Sequence, residues 1–248
     1  MKAIVYEKYG SPDVLKFQEL PKPTIEDDEI LVKLHAASVN PYDWHTMRGA
    51  PFIVRMRTGL LKPKSNMLGV DMAGQVEAVG KDVIEFKPGD AVLGTAWSGA
   101  FAEYATCKER HLIHKPSHLT FEEAASIPMA AITALQGLRD SGKIEAGHKI
   151  LINGAGGGIG TFAIQIAKSF GAHVTGVCST GKVDLVRSIG ADNVIDYKQT
   201  DFTKNGQKYD LILENALYRS VLDYKNSLTA NGVVVLIGVP LAGLCKPF

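Results

Sequence analysis

Cysteine is scarce in this 248-residue chain: Cys107, Cys178 and Cys245 are odd in number and far apart. Neither a disulfide framework nor a zinc knuckle can be read from that spacing, and reduced thiols in a cytoplasmic setting fit it better. An excess of one charge is also missing, since 27 Lys and Arg stand against 26 Asp and Glu. The resulting total of +1 carries no footprint for nucleic acid or an anionic membrane. No run approaches the roughly 18 consecutive apolar residues that span a bilayer. Residues 1–7 place Lys2, Tyr6 and Glu7 where a secretory leader needs an apolar stretch. Internal repeats and low-complexity tracts are absent as well. These absences disfavour a polyanion binder, a disulfide scaffold and an integral membrane protein, and they point to a soluble cytoplasmic chain. What is present suits that expectation: 46% hydrophobic and 21% charged residues, enough for one large core or two smaller ones.

The chain has two textures. Up to about residue 120, short apolar runs (3–6, 30–34, 91–94 and 102–107) alternate with Gly and Pro punctuation, which predicts irregular, barrel-like antiparallel structure. Beyond it, helix and strand alternate. Thr120 is placed to cap a helix whose first turn holds Glu122 and Glu123, and Pro128 is placed to break it. A strand over 149–153 leads through glycines to a helix over 158–170. There Ile159, Phe162, Ala163, Ile166, Ala167 and Phe170 recur on one face. Strands are predicted at 173–177, 194–196, 210–213 and 233–237, with helices at 182–189 and 218–228. The uninterrupted Val233 to Ile237 run reads as a parallel strand covered on both faces. Five strands result, against the six usual in a doubly wound dinucleotide fold, and the residues after Ile237 leave no room for another helix and strand.

The glycine turn carries the chemistry. Asn153 to Gly160 reads as A-x-G-x-x-G, with Ala155, Gly157 and Gly160 in the three positions and Gly156, Gly158 and Ile159 between them. A tight turn, a backbone free of side chains and a helix N-terminus aimed at a pyrophosphate are what such a sequence supplies. The preceding strand, the helix and the strand at 173–177 complete a βαβ unit, which makes the signal specific. An NAD site needs a carboxylate about twenty residues beyond the first glycine position, for the ribose hydroxyls. Here the chain reads Val177-Cys178-Ser179-Thr180-Gly181-Lys182, with no acid before Asp184. Two hydroxyls and a cation favour NADPH, although a solvated loop would have the same composition.

Several motifs together resemble one known family. Residues 69–92 contain Gly69, Asp71, Gly74, Val76, Val79-Gly80, Val83, Phe86, Gly89-Asp90 and Val92 at the spacing of its signature. The stretch 37–43, Ala-Ser-Val-Asn-Pro-Tyr-Asp, is similar to its active-site segment, and 124–128 with 133–135 resembles the helix entering its cofactor domain. The chain thus resembles the zinc-independent medium-chain dehydrogenases/reductases of the quinone oxidoreductase (zeta-crystallin-like) type. That resemblance implies an α/β architecture, with a GroES-like catalytic domain over 1–122 and a Rossmann NADPH-binding domain over 123–248. It also implies hydride transfer from NADPH to a quinone or an α,β-unsaturated carbonyl. A zinc-dependent relative would carry a Cys near Asn40 and a His-Glu pair at 70–71, and this chain has neither. In the family the catalytic domain resumes after the Rossmann domain. The tail 241–248 does not look like that continuation, so the chain reads as incomplete at its C-terminus, with family-type dimerisation in doubt.

Without a metal, hydrogen bonds must polarise the substrate carbonyl. The resemblance puts Asn40 at the active-site position as an amide donor, Asp43 as its orienting partner and Tyr42 as a proton source. A turn built from turn-favouring residues is the competing reading of the same stretch. By resemblance, Thr133 contacts the nicotinamide and Tyr197 lies near the adenosine phosphate. Trp44 and His45 are candidates for the substrate pocket. His111, His114 and His118 have helical spacing, but Pro116 interrupts it, so a metal site is not expected. The competing functional class is a catalytically poor or vestigial NADPH-binding protein.

Overall fold

The structure, a computed structural model, describes residues 1–97, 99–216 and 221–238. The chain divides into two compact units, Met1–Met129 and Ala130–Phe248.

In the first unit, β1 (Lys2–Val5) pairs antiparallel with β2 (Lys16–Glu19). The main sheet comprises β3 (Glu29–Ser38), β4 (Asp71–Val79), β5 (Ala91–Thr95), β6 (Tyr104–Lys108) and β7 (Leu112–His114). Its order is β6-β3-β4-β5-β7, with every neighbouring pair antiparallel. Between β3 and β4 the chain forms two helices, α1 (Pro41–Arg48) and α2 (Ile53–Thr58), and α3 (Phe121–Ala125) follows the sheet. Ile30, Val32, Met72, Val76 and Val92 are buried in one core cluster. Gly74 explains one fixed position of the signature. A Cβ there would lie 2.2 Å from the Lys33 carbonyl oxygen on the paired strand, so only glycine fits.

The second unit is a parallel sheet of β8 (Lys149–Asn153), β9 (His173–Cys178), β10 (Asn193–Asp196), β11 (Tyr209–Glu214) and β12 (Leu228–Leu236). The order β10-β9-β8-β11-β12 places its reversal between β8 and β11, where open α/β sheets bind ligands beyond their strand ends. α4 (Pro128–Leu135) straddles the division, and α5 (Gly158–Ser169), α6 (Val183–Ser188) and α7 (Val221–Lys225) are the α-helices that follow it among the described residues. Ala163, Ile164 and Ala167 of α5 are fully buried with Ile150 and Ile152 of β8. Five strands stand in this sheet among the described residues.

Thr120 caps α3 through a reciprocal pair, its hydroxyl accepting from Glu123 N (3.1 Å) while its N–H donates to Glu123 Oε2 (2.8 Å). The interruption at Pro128 separates α3 from α4. α1, α2, β2 and β4 lie outside the elements expected from the sequence, and two expected elements need correction. The strand expected at 30–34 extends over all of β3. Leu228, expected to end a helix, instead opens β12, because 229–232 loop out between the pairings Tyr209–Leu228 and Leu211–Val233. Residues 218–220 of that helix, and the tail 241–248 with Cys245, lie outside the described residues.

Candidate functional site

The second unit gathers five of the expected cofactor residues, Gly156, Gly157, Ser179, Lys182 and Tyr197, around one cavity of about 680 Å³. Its walls include the ends of three adjacent strands: Asn153 and Gly154 at the end of β8, Cys178 and Ser179 at the end of β9, and Asn215 and Ala216 just after β11. Gly156, Gly157, Lys182 and Tyr197 also line it, with Val177 and Phe202. Gly157 is the N-cap of α5, so the free N–H groups of the first helical turn are available to an anion. Gly154 takes a left-handed conformation at φ +80. A Cβ on Gly160 would lie 2.3 Å from the Gly154 carbonyl oxygen and 2.7 Å from Ala155 backbone atoms. The motif therefore closes the turn against the helix and leaves the cavity side bare, which is what a pyrophosphate requires.

The remaining cofactor expectations are placed differently. Ala155 is fully buried and packs beneath the turn. Gly158, Ile159 and Gly160 form the first turn of α5, and Thr133 lies half-buried on α4. Thr180 was expected to face a phosphate, but its hydroxyl donates to Asp196 Oδ2 at 2.6 Å, the charge-assisted acceptor nearest to it. Ser179 and Lys182, on either side, do line the cavity. Tyr197 is 55% exposed at its rim. Cys178 is also in the wall, and burial, with Asp196 nearby, raises its thiol pKa, so it remains protonated and inert.

Glu214 was not anticipated from the sequence. It ends β11 with no exposed surface, and its carboxylate accepts from Asn153 Nδ2 (2.8 and 3.1 Å), Ala216 N (2.7 Å) and the Tyr224 hydroxyl. Asn215 N in turn donates to the Asn153 carbonyl (3.2 Å). The buried Glu214 side chain thus ties together two strand ends that form the cavity wall.

In the first unit, Asn40 is the N-cap of α1, Pro41 its first residue and Asp43 the partner in a capping box. Asn40 N donates to Asp43 Oδ2 at 2.8 Å. Both amide hydrogens of Asn40 have acceptors: Nδ2 donates to Ser38 Oγ (3.1 Å) and to Asp71 Oδ2 (3.1 Å). A carboxylate cannot face an amide oxygen favourably, so the Asp71 contact fixes which way the amide points. Both amide hydrogens are thus engaged within the first unit, so a substrate carbonyl would have to displace Ser38 or Asp71 to receive the donation expected of Asn40. Asp71, fully buried, also accepts from Ser38 Oγ (3.2 Å) and from Met129 N (3.1 Å).

Burial raises the pKa of both acids. Asp43 reaches about 6, opposed by the backbone N–H groups of Asn40 and Gly69 and reinforced by the Asp71 charge. Asp71 is raised by burial against the N–H of Met129 and the side chains of Asn40 and Ser38. Asp43 and Trp44 also border an apolar cavity of about 550 Å³ with Leu34, Met47, Leu68 and Phe101. Tyr42 is turned toward Trp97, edge to face at 5.9 Å. His45 Nδ1 is 2.7 Å from the Ala50 carbonyl oxygen, which accounts for it structurally.

His111 precedes β7, and His114, within it, packs on Phe86 at 4.8 Å. Among the described residues no group of three or more His, Cys, Asp and Glu is arranged to hold a metal ion.

Comparison with known proteins agrees with both units. Residues 26–117 match the family described as alcohol dehydrogenase GroES-like domain, and residues 158–248 that described as zinc-binding dehydrogenase. A chloroplastic quinone-oxidoreductase homolog of Spinacia oleracea is 37% identical over 95% of this chain and 74% of its own length. The mitochondrial NAD(P)H oxidoreductase RTN4IP1 of Homo sapiens is 40% identical over 87% of this chain and 59% of its own. The quinone oxidoreductase of Coxiella burnetii superposes with a TM-score of 0.84 at 32% identity, covering 94% of this chain and 74% of that one. The chain belongs to the medium-chain dehydrogenases/reductases of the quinone oxidoreductase type, a family of oxidoreductases that use a nicotinamide cofactor. It spans about three quarters of the spinach relative and 59% of the human one.

Proposed function

We propose that this chain carries an NADPH-dependent, zinc-independent oxidoreductase activity that delivers a hydride to a quinone or an α,β-unsaturated carbonyl. The observation that carries the reading is the cavity of the second unit, where a bare glycine turn meets Ser179, Lys182 and Tyr197. The glycine turn and the start of α5 would hold the pyrophosphate, and Ser179, Lys182 and Tyr197 the adenosine 2′-phosphate. Asp196, at the end of β10, is engaged by Thr180, the Lys198 N–H and Gln199. That engagement favours a phosphate over a free ribose hydroxyl beside Lys182.

The reduced nicotinamide, when bound, supplies the hydride. In the first unit, Asp71 and Asp43 hold Asn40 and the start of α1 in place, and Tyr42 is the proton donor, with solvent able to complete a conjugate reduction. The zinc-free reading rests on donor chemistry. Where a zinc site needs thiolate and imidazole, the stretch offers an amide, a hydroxyl and two carboxylates saturated by hydrogen bonds. The names of relatives and structural neighbours support both acceptor classes: quinone oxidoreductases on one side, and on the other the CurK enoyl reductase, superposing at TM-score 0.87 with 26% identity over 97% of this chain and 76% of that one. A cytoplasmic setting is proposed from the balanced charge and the free buried thiols Cys107 and Cys178, whereas the curated relatives cited above are chloroplastic or mitochondrial.

The test is a fluorescence titration with NADPH and NADH, followed by turnover on a quinone and enone panel and metal analysis of the purified protein. NADPH is expected to bind at least about tenfold more tightly, with Lys182→Ala removing most of that preference. Equal affinity for the two cofactors would overturn the NADPH assignment. Binding without turnover on any acceptor would favour the catalytically poor NADPH-binding protein.

A further inference from the structure

The balanced total charge conceals a local imbalance. Between Asp43 and Asp71 the sequence has no carboxylate, while Arg48, Arg55, Arg57, Lys62 and Lys64 all fall there. The same stretch carries exposed apolar side chains: Phe52 at 64%, Met56 at 69%, Leu60 at 57%, Leu61 at 90% and Ile53 at 41%. So many large apolar groups within residues 52–61 exceed the single scattered ones that a soluble surface ordinarily shows.

This front is presented by a pinned support. The Tyr9 hydroxyl lies 2.8 Å from Thr58 Oγ1 and donates to the Gly59 carbonyl at 2.5 Å. Arg55 Nε donates to the Gly49 carbonyl (3.0 Å), and its guanidinium lies 4.6 Å from the centre of the Tyr9 ring. Lys64 N closes the turn onto the Thr58 carbonyl at 2.7 Å. The segment is held from behind, and the side chains left outward are apolar and cationic.

We propose that residues 52–64 are a docking element for an anionic lipid surface. Phe52, Met56, Leu60 and Leu61 enter the boundary between headgroups and acyl chains, and Arg57, Lys62 and Lys64 meet the phosphates. Charge complementarity selects this occupant. A bilayer interface offers a plane of anions directly above an apolar layer, the two things this short projection presents together. The contact needs no spanning segment, and among the described residues no helix is long and apolar enough to cross a membrane. Because every carboxylate lies outside residues 44–70, the rest of the chain is net acidic and would orient this face toward the anions.

The experiment is co-sedimentation of the whole chain with phosphatidylcholine vesicles, with and without a quarter of phosphatidylglycerol, at low and high salt. The expected result is partitioning onto the anionic vesicles, weakened by salt and absent on the neutral ones. At roughly fivefold per cation, Arg57→Glu with Lys62→Glu and Lys64→Glu should lower partitioning about a hundredfold or more. Phe52→Ser with Met56→Ser and Leu61→Ser should lower it at least about tenfold. Leu61→Ser alone, at the most exposed position, is the variant to read if a triple variant melts differently from the parent. Wild-type protein left in the supernatant with both vesicle types would overturn the proposal, as would variants that bind like the parent. So would a wild-type dimer that Leu61→Ser converts to monomer, since a second copy would then be the occupant.

Discussion

The two units each build a five-stranded sheet, but they bring polar groups to a site by different means. In the second unit all strands point the same way, so their C-terminal ends share one edge. Asn153, Ser179 and Asn215 arrive at one cavity because the topology delivers them there. In the first unit neighbouring strands alternate, and no edge collects like ends. Its polar cluster depends on register instead: Ser38 at the end of β3 faces Asp71 at the start of β4, and Asn40 follows just beyond. A site of the first kind is specified by a local strand-turn-helix code, whereas one of the second kind requires the whole sheet to be paired correctly.

That contrast can be broken by substitution. Gly160→Val should have the largest effect. Its side chain would meet backbone atoms of Gly154 and Ala155 that cannot yield without opening the turn, for a cost of about 4 kcal/mol and the loss of measurable NADPH binding. Urea denaturation with cofactor titration reads both, and an unchanged affinity would disprove the close-packing role. Asp71→Ala should come next, at about 3 kcal/mol, because it strips acceptors from Ser38, Asn40 and the Met129 N–H at once. If the two units depend on local and long-range order as argued, this variant should leave nicotinamide binding by the second unit intact.

A comparable effect, on the order of 3 kcal/mol, is expected from the titration of Asp43, whose pKa rises from 3.8 to about 6. Below that window the carboxyl is protonated in both folded and unfolded chains. Within it the folded chain keeps the proton that the unfolded chain has lost, so stability should fall as pH rises from about 4 to about 6. Unfolding free energies measured across this range should lose that slope in Asp43→Asn. Glu214→Gln should be mildest, weakening NADPH binding about tenfold, because an amide must turn a donor toward Asn153, Ala216 or Tyr224. Wild-type affinity in this variant would remove Glu214 from the account of the cavity.

Much of the second unit was legible in the sequence because its signals are local. The face of α5 repeats at helical spacing, and Gly157 and Gly160 fall where the turn requires them. The misplacements there also have physical causes. Thr180 shares the composition of a phosphate-binding loop, but Asp196, brought over from β10, claims its hydroxyl. Glu214 gave no signal because its partner Asn153 is 61 residues away in the chain. The first unit was legible chiefly through resemblance. α2 escaped periodicity analysis because Phe52, Ile53 and Met56, which would mark a buried face, point to solvent. Asn40 was found, but its amide is committed to Asp71, and only the strand register reveals that.

The division at Met129 and Ala130 falls inside α4, where the chain passes from one unit to the other as helix, and Asp71 grips the backbone of the last residue before it. A protease cuts best where about a dozen residues can unfold locally into its cleft, and a hydrogen-bonded helix anchored at its start resists that. Limited digestion should therefore not release the two units as separate fragments at this junction, and early nicks should fall on exposed turns instead.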